Sequence, residues 1–162
     1  MDNLESFEIK PLAPGDDDAA LEFCREVFVE MGWPQDKMGT NIAELFNEPD
    51  DIFITIKHGE EIVGTGGLLR LSKENVLLKR MYLAKRLRGS GLGTKLFAYL
   101  VEKAREIGHT MLVLDVSRTN TRATRFYEKQ GMEEFFLNTP HPRWEGSSYE
   151  RQKTDRYFRL RL

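Results

Sequence analysis

Apolar and polar positions along this chain switch between the two-residue period of strands and the longer period of helices, and the switches predict its elements. Phe7-Glu8-Ile9-Lys10-Pro11-Leu12 alternates and runs into a proline, which predicts a short first strand. After Gly15-Asp16-Asp17-Asp18, Leu21, Cys24, Val27, Phe28 and Met31 recur at helical spacing until Gly32-Trp33-Pro34 stops them. The aspartates suit the positive end of that helix as caps; with no histidine or second acidic cluster nearby, they do not predict a metal site. Residues 32–50 read as a loop holding a short helix around Asn41 to Phe46. Asp51 to Lys57 is rich in β-formers, and His58-Gly59-Glu60-Glu61 turns it into a second strand over residues 62–71. Gly64, Gly66 and Gly67 weaken that strand, so they predict a bulge or a close approach by a ligand or helix.

The second half of the chain continues the pattern. A central strand at residues 76–83 leads into a glycine-rich loop and then a helix, whose apolar face is Leu96, Phe97, Leu100, Val101, Ala104 and Ile107 and whose end is Gly108. Met111-Leu112-Val113-Leu114-Asp115-Val116 is nearly all apolar, as in a strand covered on both faces, so strand, helix and strand form a βαβ unit with parallel strands and a right-handed crossover. Ser117 to Asn120 forms a capping loop before a helix from Thr121 to Gln130, closed by Gly131. Strands follow at residues 132–137 and 157–162, separated by a polar loop, residues 138–154, whose length argues against a passive linker. The expected fold class is α/β (α+β): a mixed sheet of about six to seven strands with about four helices, in one domain spanning residues 1–162.

Composition narrows the functional classes. The chain has 162 residues, 40% of them hydrophobic and 31% charged, and a formal net charge of −2. A near-neutral balance argues against general nucleic-acid binding, which needs a basic surface. One cysteine, Cys24, excludes an internal disulfide, and its apolar neighbours make it a core residue. The acidic start, Met1 to Glu5, has no basic segment leading into an apolar run, so no signal peptide or membrane span is expected and the chain reads as cytoplasmic. His58, His109 and His141 lack ligand spacing, so no metal is expected.

The chemistry concentrates between Leu77 and Thr94. Gly89, Gly91 and Gly93 stand at every second position between a strand and a helix, where the backbone can adopt positive φ and aim its N–H groups, with the helix dipole, at a phosphate. The spacing fails the Gly-x-Gly-x-x-Gly dinucleotide fingerprint, whose third position would be Thr94 or Leu96, and it fails the Walker A pattern, because Gly93 precedes Thr94 and then Lys95. Arg88-x-x-Gly91-x-Gly93, after the Lys79-Arg80-Met81-Tyr82-Leu83 strand, instead resembles the GNAT superfamily of N-acetyltransferases. Asn120-Thr121-Arg122-Ala123-Thr124-Arg125-Phe126-Tyr127-Glu128-Lys129-Gln130-Gly131-Met132 is similar to a second segment of that family, and the element order agrees along nearly the whole chain.

The resemblance implies an acetyl-CoA-dependent N-acetyltransferase, with acetyl-CoA as co-substrate between splayed parallel strands. Backbone of Met81, Tyr82 and Leu83 would pair with its pantetheine arm, and Met81 or Leu83 would supply an oxyanion N–H. The diphosphate would sit on Arg88, Gly89, Ser90, Gly91, Leu92, Gly93 and Thr94, with Asn120 bonding the arm or capping its helix. Tyr127 would protonate the leaving thiolate as general acid, or pack beside Phe126 with its hydroxyl satisfied. Where many relatives carry a glutamate, this chain has Val76, Leu77 and Leu78. The general base is therefore expected at Glu74, at Asp115 or through a water chain. The acceptor would be a small-molecule or peptide amine, bound by residues 28–46 and 138–154. Glu30, Glu44 and Glu145 there suit a cation, while His141, Arg143, Trp144 and Tyr149 either line that pocket or form a solvated loop. The family pattern is compatible with a homodimer. Two rival readings are a non-catalytic acyl-CoA-binding or sensing domain, which would need neither Tyr127 nor a base, and a protein-interaction module using residues 138–154.

Overall fold

The computed structural model describes residues 6–38 and 42–162. Its strands are β1 (Phe7–Pro11), β2 (Ile52–His58), β3 (Glu61–Arg70), β4 (Asn75–Leu83), β5 (Met111–Ser117), β6 (Glu133–Phe135) and β7 (Asp155–Arg161). The helices are α1 (Asp17–Met31), α2 (Ile42–Leu45), α3 (Leu92–Ile107) and α4 (Thr121–Lys129). The strands follow the order β1-β2-β3-β4-β5-β7-β6 in one mixed sheet. The predicted start of α2 at Asn41, and the acidic segment Met1 to Glu5, lie outside the described residues. Among the described residues no helix is long and apolar enough to cross a membrane.

The chain divides into two compact units, the first drawn from Met1–Leu68 and Lys79–Leu100, the second from Leu69–Leu78 and Val101–Leu162. In the first, β1 pairs antiparallel with β2 and β2 with β3, and Pro11 is tolerated because β1 is an edge strand. α1 buries Ala20, Leu21, Phe23, Cys24, Val27 and Phe28 in a core shared with Phe53 and Ile62. Cys24 is fully buried, and burial pushes its thiol up, which fits core packing. Gly32, in the left-handed conformation, ends α1: the Trp33 N–H reaches back to Phe28 O at 2.9 Å. At the other end of α1, Asp17 and Asp18 lie in the first turn, but the Asp16 side chain makes no cap bond; it pairs with Lys57 Nζ at 3.1 Å. Lys57 is nearly buried on β2, and a buried ammonium needs a counter-charge more than the helix needs a side-chain cap.

The glycines of β3 mark close packing. A Cβ at Gly66 would come within 2.7 Å of Leu100 of α3, and one at Gly67 would overlap Phe46. One at Gly64 would lie 3.2 Å from the carbonyl oxygen of Tyr82.

In the second unit the start of β4 runs parallel to β5, pairing Asn75, Val76 and Leu77 with Met111, Leu112 and Val113. β5 pairs antiparallel with β7 over its whole length, and β7 carries the three-residue β6 on its other side. β6 is shorter than the predicted 132–137: Met132 N–H is taken by Tyr127 O at 3.2 Å, and Phe136 is 90% exposed, leaving the ladder at once. β7 starts two residues earlier than predicted, at the buried Asp155.

Candidate active site

The loop after β4 is built from turns that leave its glycines to shape the backbone. Leu87 N–H bonds to Ala84 O, closing a 3-10 turn over Lys85–Leu87, and Ser90 N–H bonds to Leu87 O at 3.2 Å. Gly89 and Gly91 have φ of +82° and +91°, values that side chains with a Cβ adopt only at a cost. Ser90 Oγ donates to Leu87 O and accepts the Leu92 N–H, while Gly91 O accepts the first helical bond, from Lys95 N at 3.2 Å. α3 begins at Leu92, so its first-turn amides open where the loop ends. Of the three glycines expected to adopt positive φ, Gly89 and Gly91 do, whereas Gly93 lies inside α3.

Arg88, expected beside the diphosphate, is engaged on the first unit's own side chains. Its guanidinium bonds both carboxylate oxygens of Glu30, one at 2.9 Å, and its Nε donates to Leu83 O at 3.1 Å. Glu30, expected to receive a cationic acceptor, is therefore paired with Arg88.

Met81, Tyr82 and Leu83 follow a break in regular strand geometry. Arg80 has φ of +60°, a left-handed conformation that no other non-glycine residue adopts among the described residues. Its carbonyl accepts the Thr65 hydroxyl at 2.8 Å, its Nη2 donates to Met38 O at 2.8 Å, and its guanidinium lies 4.9 Å from the centre of the Phe28 ring. Tyr82 packs edge-on to Phe28 and beside Trp33, so three aromatic rings brace the strand just past the break.

The second unit holds Asn120, Tyr127, Asp115 and Glu74. Asn120 caps α4, its Oδ1 accepting the Ala123 N–H at 3.2 Å, so the capping role foreseen for it is realised. Tyr127 is partly buried in the second turn of that helix, its ring edge-on to Phe126. Burial pushes its phenol well above the usual range, and the charge of Asp115 adds to the shift. A phenol so placed keeps its proton at neutral pH.

Asp115 stands alone among apolar neighbours on β5, and the loop at 138–154 closes on it. Trp144 Nε1 donates to Asp115 Oδ1 at 2.6 Å, and Arg151 Nη2 bonds Asp115 Oδ2 at 3.2 Å and Asp155 Oδ2 at 2.9 Å. A Cβ at Gly146 would overlap the Asp115 carboxylate, and the Gly146 carbonyl accepts the Tyr157 hydroxyl at 2.6 Å. Burial, then the hydrogen-bonded Asp155 beside it, pushes Asp115 up to about 6 against the pull of Trp144 and Arg151. His141 and Arg143 pin the same loop to Leu71 O and Arg70 O. Of the four loop residues expected either to line a pocket or to be solvated, Trp144 is buried, His141 and Arg143 are partly buried, and Tyr149 is 69% exposed.

Glu74 is exposed just before β4, its backbone carbonyl accepting the Thr110 and Met111 amides. The parallel register sets it near Thr110, about 16 Å along β5 from Asp115 at roughly 3.3 Å per residue. Asp115, not Glu74, is the carboxylate in the field of Tyr127. Sequence reasoning missed Thr65, Glu30, Arg151 and Asp155 as partners of site residues. The solitary carboxylate within an apolar run was the one available signal.

Comparison with known proteins gives these features a family. The acetyltransferase (GNAT) family profile matches residues 18–132. The uncharacterized N-acetyltransferase YjgM of Escherichia coli strain K12 is 30% identical over 145 residues, covering 82% of this chain and 87% of that protein. A GNAT-family acetyltransferase from Staphylococcus aureus Mu50 has the same fold, with a TM-score of 0.78, 21% identity and coverage of 96% of this chain and 99% of that one. A GNAT-family acetyltransferase from Elizabethkingia anophelis, solved with acetyl-CoA bound, matches with a TM-score of 0.63 and 19% identity over 98% of this chain and 99% of that one. The chain belongs to the GNAT acetyltransferase family and is an N-acetyltransferase.

Proposed function

We propose that this N-acetyltransferase moves the acetyl group of acetyl-CoA to a primary amine of a small molecule or peptide, acting in the cytoplasm through residues 1–162 as one catalytic domain. The observation that carries the reading is the pair of left-handed glycines, Gly89 and Gly91, opening onto the first turn of a sixteen-residue helix. That arrangement suits a diphosphate, because it offers several N–H donors and a positive dipole end without a side chain in the way.

Acetyl-CoA supplies an acetyl group activated as a thioester. Loop amides between Gly89 and Thr94, apart from those of Ser90 and Leu92, which the loop's own turns use, hold its diphosphate, and the backbone of Met81, Tyr82 and Leu83 receives its pantetheine arm, which Asn120 also bonds. The Met81 N–H stabilises negative charge developing on the thioester oxygen. A lysine-like ammonium, with a pKa of about 10.4, must lose a proton before it attacks, and Asp115 takes that proton directly or through water. Tyr127 donates its phenolic proton to the leaving thiolate and is reprotonated by the proton that the new amide nitrogen gives up. Asp115 replaces Glu74 in the assignment, since Glu74 stands exposed at the far end of the β4–β5 pair from Asp115.

Free-thiol release from acetyl-CoA, measured with a polyamine, a free amino acid, a peptide with a free N-terminus and an aminoglycoside, tests the proposal beside a Tyr127→Phe variant. Turnover with one amine class, lowered about 10²-fold by the substitution, is the expected result. Tight acetyl-CoA binding with no turnover on any amine would point to a sensing domain instead.

A further inference from the structure

Of the non-glycine residues described, Arg80 alone is left-handed, and it directly precedes the segment proposed to receive the thioester. A left-handed residue with a side chain costs roughly 1–2 kcal/mol and persists only where its surroundings enforce it. Here the enforcement comes from two sides. The side chain is held by Met38 O at 2.8 Å and by the Phe28 ring, and the carbonyl is held by the Thr65 hydroxyl at 2.8 Å. Thr65 has no exposed surface. Its Oγ1 also lies 3.8 Å from Cys24 Sγ, a thiol that burial keeps protonated.

The carbonyl of Arg80 and the N–H of Met81 belong to one planar trans peptide, so they point in opposite directions and turn together. Whatever fixes the carbonyl fixes the N–H. We infer that Thr65 is a positioning residue of the acetyl transfer: by donating to Arg80 O it aims the Met81 N–H at the thioester oxygen. The inference rests on the acetyl-transfer reading above and selects Met81 over Leu83 as the donor. It also gives the small residues of β3 a second purpose, since Gly64 lets the Tyr82 carbonyl approach within 3.2 Å of its Cβ position. Thr65 touches no reacting atom; it acts through a single peptide plane.

The test compares Thr65→Val, which keeps the shape and loses the hydroxyl, with Thr65→Ser, which keeps the hydroxyl. Both are assayed with acetyl-CoA and the fastest amine of the panel, well below the melting temperature of each variant. Losing an oxyanion donor outright costs about 10²–10³ in kcat, so releasing its orientation should cost about tenfold or more. The expected pattern is a fall in kcat for Thr65→Val, a KM for acetyl-CoA within about twofold of wild type, and recovery of most of the lost kcat in Thr65→Ser. A merely structural hydroxyl would lower CoA affinity and kcat together, or neither. Wild-type kcat in Thr65→Val, or joint loss of CoA binding measured by calorimetry, would overturn the inference. Should the valine variant not fold, Thr65→Ala makes the same comparison against Thr65→Ser. Failure of the acetyl-transfer reading itself would show separately, as absence of thiol release by the wild-type protein.

Discussion

The loop at residues 84–91, between β4 and α3, and the loop at 138–154, between β6 and β7, are ordered by opposite means. The first is shaped by its backbone: two left-handed glycines, a 3-10 turn and the first amides of α3. The second is ordered by side chains that reach the rest of its unit: Trp144 and Arg151 on Asp115, His141 on Leu71 O, Arg143 on Arg70 O. A backbone-built loop tolerates change in its side chains and fails on a change in φ. A loop held by side chains should fail wherever an anchor is cut.

The sharpest way to break the second region is Trp144→Ala. Trp144 is 5% exposed, packs edge-on to Tyr157 with ring centres 5.6 Å apart, and supplies a donor to Asp115. Truncating a buried aromatic costs about 3–5 kcal/mol, which for a chain of this size is a fall in Tm of roughly 10 °C, measured by calorimetry. A fall of less than about 3 °C would mean that the loop is not anchored there.

Asp115→Asn comes next and reads both activity and stability. With its carboxyl raised to about 6, Asp115 becomes an ionised base as pH passes through that value, so wild-type kcat/KM should rise there. The asparagine variant should lose about 10²-fold and the rise with it. In stability the sign is reversed. Folding favours the neutral carboxyl, so the contribution of Asp115 is complete below about pH 4, its ordinary value being 3.8, and is lost above about pH 6. The difference in Tm between variant and wild type should therefore shift in favour of the variant as pH rises from 4 to 7. A difference curve flat in pH would remove Asp115 as a titrating group.

The contrast between the loops also explains what could be read in advance. Period and punctuation suffice for elements whose partners are near in sequence: α1 with its stop at Gly32, the βαβ unit from β4 to β5, and α4 with its Asn120 cap. The glycine loop was legible for the same reason, since left-handed glycines before a helix carry their consequence locally. What stayed hidden depends on residues far apart in the chain. Arg88 and Glu30, Thr65 and Arg80, and Asp115 with Trp144 and Arg151 are brought together by the fold, and nothing in the spacing of either partner points to the other. Asp16 shows the limit even for a local motif, because Lys57, distant in sequence and buried, takes the carboxylate that a cap would have used.

Gly91→Ala tests the first region with a smaller expected effect. At φ of +91° an added Cβ costs roughly 1–2 kcal/mol, taken either as lost stability or as a rearranged loop. The expected outcome is a drop in Tm of a few degrees, or a rise of about tenfold in the KM for acetyl-CoA. Arg86→Ala, which removes an exposed side chain paired with Glu61, should leave both within the scatter of wild type. Equal effects from the two substitutions would deny that the loop is a backbone site.

Glu30→Gln should have the smallest effect and distinguishes two roles for Arg88. The pair is partly exposed, with 18% of the Arg88 side chain and 31% of the Glu30 side chain accessible, so its contribution to stability should stay below about 1 kcal/mol. If the loop amides do the diphosphate binding and Glu30 only parks the guanidinium, Glu30→Gln frees Arg88 from its counter-charge. The affinity for CoA should then stay level or rise by a few-fold, most visibly at low ionic strength, where an unpaired guanidinium attracts a diphosphate most strongly. A several-fold loss of CoA affinity would mean instead that Glu30 holds Arg88 in its binding pose. The first region would then depend on a side-chain anchor after all, and the distinction between the two loops would narrow to one of degree.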